Sequence, residues 1–240
     1  MLKNSLKRIV RSLGFEVKRY NLNNSQVALI GHLLKYYNID LVFDVGANEG
    51  QYARFLRECQ YTDRIVSFEP LSSARSRLVA ASRNDPRWEI APQVAIGDRE
   101  GEITINISEN SLSSSVLPML DTHLKAAPES AFRGSEVVRL SRLDIVAKDY
   151  LKDDDRAIFL KIDVQGFEKQ AIEGAAGILP RVKGIQLELS LVPLYEGQVL
   201  WQEMLDLLQE LGFSLYSISP VFNDPETGRA LQIDGVFFKS

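Results

Sequence analysis

The stretch Leu41-Val42-Phe43-Asp44-Val45-Gly46-Ala47-Asn48-Glu49-Gly50 constrains this chain more than any other. An apolar run ends in an acid, and Gly-x-x-x-Gly then leads into an amphipathic segment that begins near Gln51. Glycines are needed where a strand turns sharply into a helix and where backbone approaches a ligand closely. The turn therefore reads as the first strand-to-helix junction of a βαβ unit. Asp44 sets its chemistry. Phosphate-binding loops offer backbone N–H groups to an anion, whereas a carboxylate at the strand end repels pyrophosphate and favours an ammonium or sulfonium group. A dinucleotide loop would place glycines where Asn48 and Gln51 stand, and a P-loop would not follow Gly50 with Gln51 and Tyr52.

A second apolar run, Ile65-Val66-Ser67-Phe68, ends in Glu69-Pro70, with Glu69 lying 19 residues beyond Gly50. A carboxylate at that strand end can accept both hydroxyls of a ribose. Together the two acids describe a nucleoside that carries positive charge and no phosphate. S-adenosylmethionine, with its ribose, sulfonium and ammonium, is the expected ligand.

Apolar and β-branched runs at 41–43, 64–68, 88–91, 158–162, 185–189, 213–218 and 236–238 alternate with helical patterns at 51–59, 72–81, 167–179 and 201–211. That rhythm predicts a doubly wound α/β sheet. Ser72 is the expected cap of the second of these helices. Residues 102–142 break the rhythm, because Ile103-Thr104-Ile105-Asn106-Ile107 alternates strictly and Val137-Val138-Arg139-Leu140 can pair with it. The Ser-rich stretch between them reads as an inserted substrate or lid region. Turn residues from Ser219 to Gly235 leave no room for a crossover helix, so the last strands are expected to be antiparallel.

With 240 residues, 45% of them hydrophobic, the chain can close one sizeable core at 39–240. No apolar run approaches the roughly 20 residues of a membrane-spanning helix, so stable membrane insertion is not expected. Residues 1–38 form a basic helical segment expected to pack on the core; six Lys and Arg stand against Glu16 in the first 20 residues. The alternative for its stripe of Leu2, Leu6, Ile9, Val10 and Leu13 is an anionic membrane surface. The start carries no apolar signal-peptide core, and a cytoplasmic location is expected. A formal charge of −4 argues against a nucleic-acid partner, and one Cys with two His offers neither a disulfide nor a metal cluster.

The chain resembles the FkbM-type methyltransferases in Phe43-Asp44-Val45-Gly46-Ala47-Asn48-x-Gly50, Phe68-Glu69-Pro70, Ala95-Ile96-Gly97-Asp98-x-x-Gly101, Leu143-Asp144 and Leu160-Lys161-Ile162-Asp163-Val164-x-Gly166-x-Glu168. Similarity continues through Gln186-Leu187-Glu188-Leu189-Ser190 and Gly235-Val236-Phe237-Phe238. The resemblance implies a class I, Rossmann-like methyltransferase fold: a mostly parallel seven-stranded sheet with an antiparallel last strand and a small inserted β element. It implies O-methylation of a small-molecule or carbohydrate acceptor, a hydroxyl on a sugar, glycan or polyketide-type compound. The cofactor set is then Asp44, Gly46, Ala47, Asn48, Gly50, Tyr52, Glu69, Pro70, Val94 and Ala95. In the family the residue after Val164 is usually Glu; here it is Gln165, so no charge is available there.

Methyl transfer to oxygen needs alignment and a base. Asp163, Lys161, Glu188 and His123 are the candidates. Asp163 is either a catalytic or substrate-orienting carboxylate or a cap on the following helix. Lys161 is either a desolvated base or the partner of an acid such as Asp163. Glu188 can sit over the acceptor. His123, in the inserted region, is a general base or a solvated loop residue. Two other readings stand beside the enzyme: a non-catalytic nucleoside-binding scaffold or sensor, for which Gln165 speaks, and a nicotinamide oxidoreductase.

Overall fold

A computed structural model describes residues 8, 10–151 and 157–239. Helix α1 (Gln26–Tyr36) precedes β1 (Leu41–Val45), α2 (Gln51–Glu58), β2 (Arg64–Phe68), α3 (Ser72–Ser82) and β3 (Trp88–Ile90). Next come β4 (Ala95–Ile96), β5 (Gly101–Ser108), α4 (Asp121–Ala126), β6 (Phe132–Ser141) and α5 (Leu143–Val146). The chain continues with β7 (Ile158–Ile162), α6 (Glu168–Gly174), β8 (Val182–Ser190), α7 (Trp201–Glu210), β9 (Phe213–Asn223) and β10 (Ala230–Lys239).

Seven strands form one sheet in the order β3-β2-β1-β7-β8-β10-β9. Pairings from β3 through β8 are parallel, and β10 runs antiparallel to both β8 and β9. The inner strands are buried and mostly apolar because both faces are covered. Along β1, Phe43 and Val45 point into the core that includes Ala171, Met204 and Leu208, while Val42 joins Ile30, Leu34, Ala53 and Leu56 on the other face. Strand order reverses between β1 and β7, where ligand clefts form outside the carboxyl ends of parallel strands.

The pairing expected in the insertion is present, with Ile103 opposite Val138 and Thr104 opposite Val137. It belongs to a separate three-stranded sheet, β4-β6-β5, so the element recruits β4 upstream of residue 102. The stretch between β5 and β6 is partly ordered by α4 and by bridges from Ser115 to Asn106 and Met119 to Tyr195. Ser72 does not cap α3. The cap position is Leu71, and the Glu136 carboxylate from β6 accepts the Ser72 amide instead, which ties the insertion to the main sheet.

At the N-terminus, Leu2, Leu6 and Ile9 of the expected stripe lie outside the described residues. Residues 10–12 are helical, Val10 is half-buried, and Leu13, Phe15, Val17 and Tyr20 are exposed. It is α1 that packs, through Ile30, Leu33 and Leu34, after a start capped by the Ser25 hydroxyl. Among the described residues no helix is long and apolar enough to cross a membrane.

Candidate active site

A polar row crosses the apolar sheet at one level. Ser67, Asp44, Lys161 and Gln186 are register partners on β2, β1, β7 and β8 and are buried side by side. Trp88 Nε1 donates to Ser67 Oγ at 2.9 Å, and Ser67 Oγ donates to Asp44 Oδ2 at 3.0 Å. Asp44 Oδ1 lies 3.6 Å from Lys161 Nζ. The ammonium also reaches Asp163 Oδ2 at 3.3 Å and the Gly46 carbonyl at 3.4 Å. Tyr52 closes the row from α2, its hydroxyl donating to Gln186 Oε1 at 2.8 Å, and Gln186 Nε2 donates to Asp234 at 3.1 Å. Burial works against the Lys161 charge, yet Asp163 and Asp44 outweigh it and hold the ammonium's pKa above its ordinary value. Lys161 is thus the partner of two acids rather than a neutral base.

This arrangement turns Asp44 toward Lys161 and Ser67. The side chain is wholly buried and does not line either cleft beside the turn. The ammonium that a carboxylate at this strand end attracts is supplied by the chain itself, from Lys161 one strand away.

The turn after β1 is bonded inward. The amides of Gly46 and Ala47 both donate to Phe68 O at 3.0 Å, and Asn48 N–H donates to Glu69 Oε2 at 2.8 Å. Glu49 N–H donates to Gln51 Oε1 at 3.1 Å and Gly50 N–H to Ala47 O at 2.8 Å. Every backbone donor from 46 to 50 is taken, so the turn has no nest for a phosphate. Gly46 has φ +77°, and a Cβ there would stand 1.8 Å from the Asp163 carbonyl oxygen, so the two strand ends meet backbone to backbone. Gly50, at φ +86°, starts α2 against Trp88 and lines neither cleft.

The first cleft lies between the turn, the end of β2 and the inserted sheet. Of the expected cofactor set it brings together Gly46, Asn48, Glu69, Pro70, Val94 and Ala95, with apolar walls from Phe68, Leu71, Ile96 and Phe167. Its charged residues are the acids Glu69 and Asp163, with no Lys or Arg. Burial raises the Glu69 carboxyl to about 7, opposed by the Leu71 and Asn48 amides. Each Glu69 oxygen accepts one of those amides at 2.8 Å and retains acceptor capacity for a hydroxyl. Asn48 Oδ1 is buried with no hydrogen-bond partner. An unmatched acceptor, an acid and apolar walls fit an uncharged or cationic nucleoside.

The second cleft opens on the other side of the same turn. It is lined by Ala47, Tyr52, Phe55, Gln26 and Gln51, by Lys161, Gln186, Glu188 and Asp234, and by Leu112 and Val221. Gly46, Asn48, Asp163 and Leu112 border both clefts. Glu188 is pushed well above the ordinary carboxyl range by burial and by Asp163, Glu168 and Asp234; burial and Asp163 raise Asp234 to about 6.

Asp163 does not cap α6. The cap position is Phe167, with no side-chain cap; the Glu168 carboxylate instead holds the turn before the helix, accepting the amides of Val164 at 3.2 Å and Gly166 at 3.0 Å, and burial raises it to about 7. Asp163 is left facing the seam of the two clefts. His123 is not brought there: it is buried against Tyr195 and Phe222 with ring centroids 5.2 Å away, and desolvation lowers it to about 4. The loop position that suggested a base holds a buried ring packed between two aromatics. Tyr195 and Gln232, which no motif singled out, reach the site through Gln165 and Glu188.

A mostly parallel seven-stranded sheet with β10 reversed and paired clefts at the β1/β7 switch point is a class I, Rossmann-like methyltransferase fold. The chain belongs to the FkbM methyltransferases: the Methyltransferase FkbM domain matches residues 44–215. It is 30% identical over 175 residues, 70% of each chain, to the 2-O-methyltransferase NoeI of Sinorhizobium fredii (strain NBRC 101917 / NGR234). A crystal structure of a methyltransferase FkbM from Methylobacillus flagellatus KT superposes with TM-score 0.46 and 14% identity over 82% of this chain, which spans 43% of that one. The magnesium protoporphyrin IX methyltransferase of Synechocystis PCC 6803, solved with bound S-adenosylmethionine, superposes with TM-score 0.47 and 10% identity, covering 89% of this chain and 78% of that one.

Proposed function

We propose that this methyltransferase uses S-adenosylmethionine, held in the first cleft, to methylate a hydroxyl of a sugar or similar polyol in the second. The inward bonding of every amide from Gly46 to Gly50 carries the reading, because it favours a phosphate-free nucleoside over NAD or a nucleotide. Glu69 accepts the ribose hydroxyls, Asn48 Oδ1 accepts a donor of the methionine part or the ribose, and Phe68, Val94, Ile96 and Phe167 flank the base. When bound, the cofactor supplies an electrophilic methyl on sulfonium.

Asp163, the one acid shared by both clefts, receives the acceptor's hydroxyl proton. Lys161 keeps Asp163 in place from the buried side. Amides and acids beside Tyr52 and Phe55 suit a neutral acceptor with polar edges and an apolar face, and the relative's 2-O specificity makes a sugar 2-hydroxyl the first to try. Leu112, exposed over the seam, shields it from water. Among the described residues no three His, Cys, Asp or Glu side chains are arranged to hold a metal ion.

Calorimetry with S-adenosylhomocysteine and NAD, together with methyl transfer to a panel of neutral glycosides, tests this. Binding of S-adenosylhomocysteine but not NAD, with turnover at a sugar hydroxyl that Asp163→Asn lowers far more than cofactor affinity, is the expected result. NAD in that cleft overturns it. Cofactor binding with no turnover on any hydroxyl acceptor restores the scaffold reading.

A further inference from the structure

Gln165 stands where an acid would meet two others. Its Nε2 donates one hydrogen to Asp163 Oδ1 at 2.8 Å and the other to Glu188 Oε2 at 2.9 Å. The Tyr195 hydroxyl donates to its Oε1 at 2.8 Å. That bond and the two carboxylates demand the same amide orientation, since a flipped amide would turn its carbonyl on both acids. The backbone is also committed: Gln165 has φ +52° and Gly166 φ +98°. A left-handed conformation is unfavourable for any residue but glycine. It is sustained here by Ser115 Oγ donating to Gln165 O at 2.6 Å and by Glu168 accepting the Gly166 amide. Strain of this kind is kept where it aims a side chain.

We propose that Gln165 is a positioning residue, an amide clamp that holds Asp163 and Glu188 together at the seam of the two clefts so that Asp163 meets the acceptor hydroxyl. The inference rests on the methyl-transfer reading for its consequence, though not for its geometry. Around the pair lie Lys161 on β7, Glu168 on α6, Asp234 on β10 and Tyr195, with Asp44 beyond Lys161. Among these, Lys161 is the only cation, and it is shared with Asp44. A glutamate at 165 would bring a third acceptor into contact with two and donate to neither. Gln232 Nε2, at 2.7 Å from Glu188 Oε2, holds that carboxylate from the far side but does not reach Asp163 among the hydrogen bonds present.

The test compares wild type with Gln165→Glu, Gln165→Ala and Tyr195→Phe. Glu188 titration is followed by carboxyl ¹³C NMR on the full-length protein, with Glu188→Gln for assignment. Loss of a donor or gain of a like charge raises the Glu188 midpoint, by about one pH unit in Gln165→Ala and more in Gln165→Glu. Tyr195→Phe shifts it the same way by less. With an acceptor that wild type methylates, kcat falls about 10- to 100-fold in Gln165→Ala while the affinity for S-adenosylhomocysteine stays within about threefold. An unmoved Glu188 titration in folded Gln165→Glu and Gln165→Ala overturns the clamp. So does an equal loss in kcat and cofactor affinity. If Gln165→Ala does not fold, the nearly isosteric Gln165→Glu decides by its titration alone. Because the titration needs neither cofactor nor acceptor, a wrong methyl-transfer reading would leave it intact, and the two failures separate.

Discussion

Replacing Lys161 by Met would strip the cation from the polar row while keeping its length and its apolar stem. Asp44 would remain behind at 0% exposure with Ser67 as its one close donor. Removing one partner of a buried ion pair costs about 3–5 kcal/mol, because the other charge is left uncompensated. The Asp163 half of the interaction adds little to that figure, since its side chain is 36% exposed and screened by water. At roughly 2–4 °C per kcal/mol for a chain of this size, the melting point falls by about 6–20 °C. The deficit depends on pH. Burial already raises Asp44, and without Lys161 the folded state would hold that proton more tightly still. A carboxyl whose folded pKa is raised contributes stability below its unfolded value near 3.9, lost as pH rises through the folded value. Lys161→Met should therefore lose less at pH 5 than at pH 8. Urea unfolding of wild type, Lys161→Met, Asp44→Asn and the double variant at both pH values reads this as a coupling energy. The double variant should be more stable than Lys161→Met at pH 8. Additive losses, or a single-variant cost below about 1 kcal/mol, would refute the buried-row account.

Glu69, raised to about 7 by burial, should bind the ribose best when ionised, so affinity for S-adenosylhomocysteine rises between pH 6 and 8. Calorimetry of Glu69→Gln should show roughly 10- to 100-fold weaker binding and no such rise, as expected for charge-assisted hydrogen bonds of about 1.5–3 kcal/mol. Gly46→Ala must push a methyl against the Asp163 carbonyl oxygen, at a φ of +77°. It should unfold at lower urea or lose cofactor binding outright, and wild-type behaviour in both would contradict the packing of β1 on β7. His123→Phe keeps the aromatic packing on Tyr195 and Phe222 and removes the imidazole. Turnover within about threefold of wild type is expected, and a loss of 100-fold would return His123 to the catalytic set.

The fold was legible because its signals are local. Apolar runs covered on both faces, a Gly-x-x-x-Gly turn and acids at two strand ends are all read along the chain, and β1, β2, β7 and the reversed β10 stand where those signals put them. What stayed hidden depends on register. Asp44 and Lys161 are 117 residues apart in numbering, yet pair as neighbours because β1 and β7 align them side by side. No spacing rule announces that alignment. It decides whether Asp44 faces a cleft or a lysine; Glu69, expected at the ribose, lines the first cleft. The place of His123 is hidden for a related reason: its neighbours in sequence read as loop, whereas α4 folds it under Tyr195.

Gln165 shows the limit most clearly. From the sequence it registered as a missing charge, and a missing charge favoured a protein that binds without reacting. The distances give the neutral residue a second meaning. Asp163 and Glu188 converge on Gln165, whose amide donates to both at 2.8 and 2.9 Å, where an ionised acid would meet them as a third acceptor. The departure from the family pattern is therefore a change in how the acids are held, with Asp163 bonded to Gln165 and Lys161 at the seam of the two clefts.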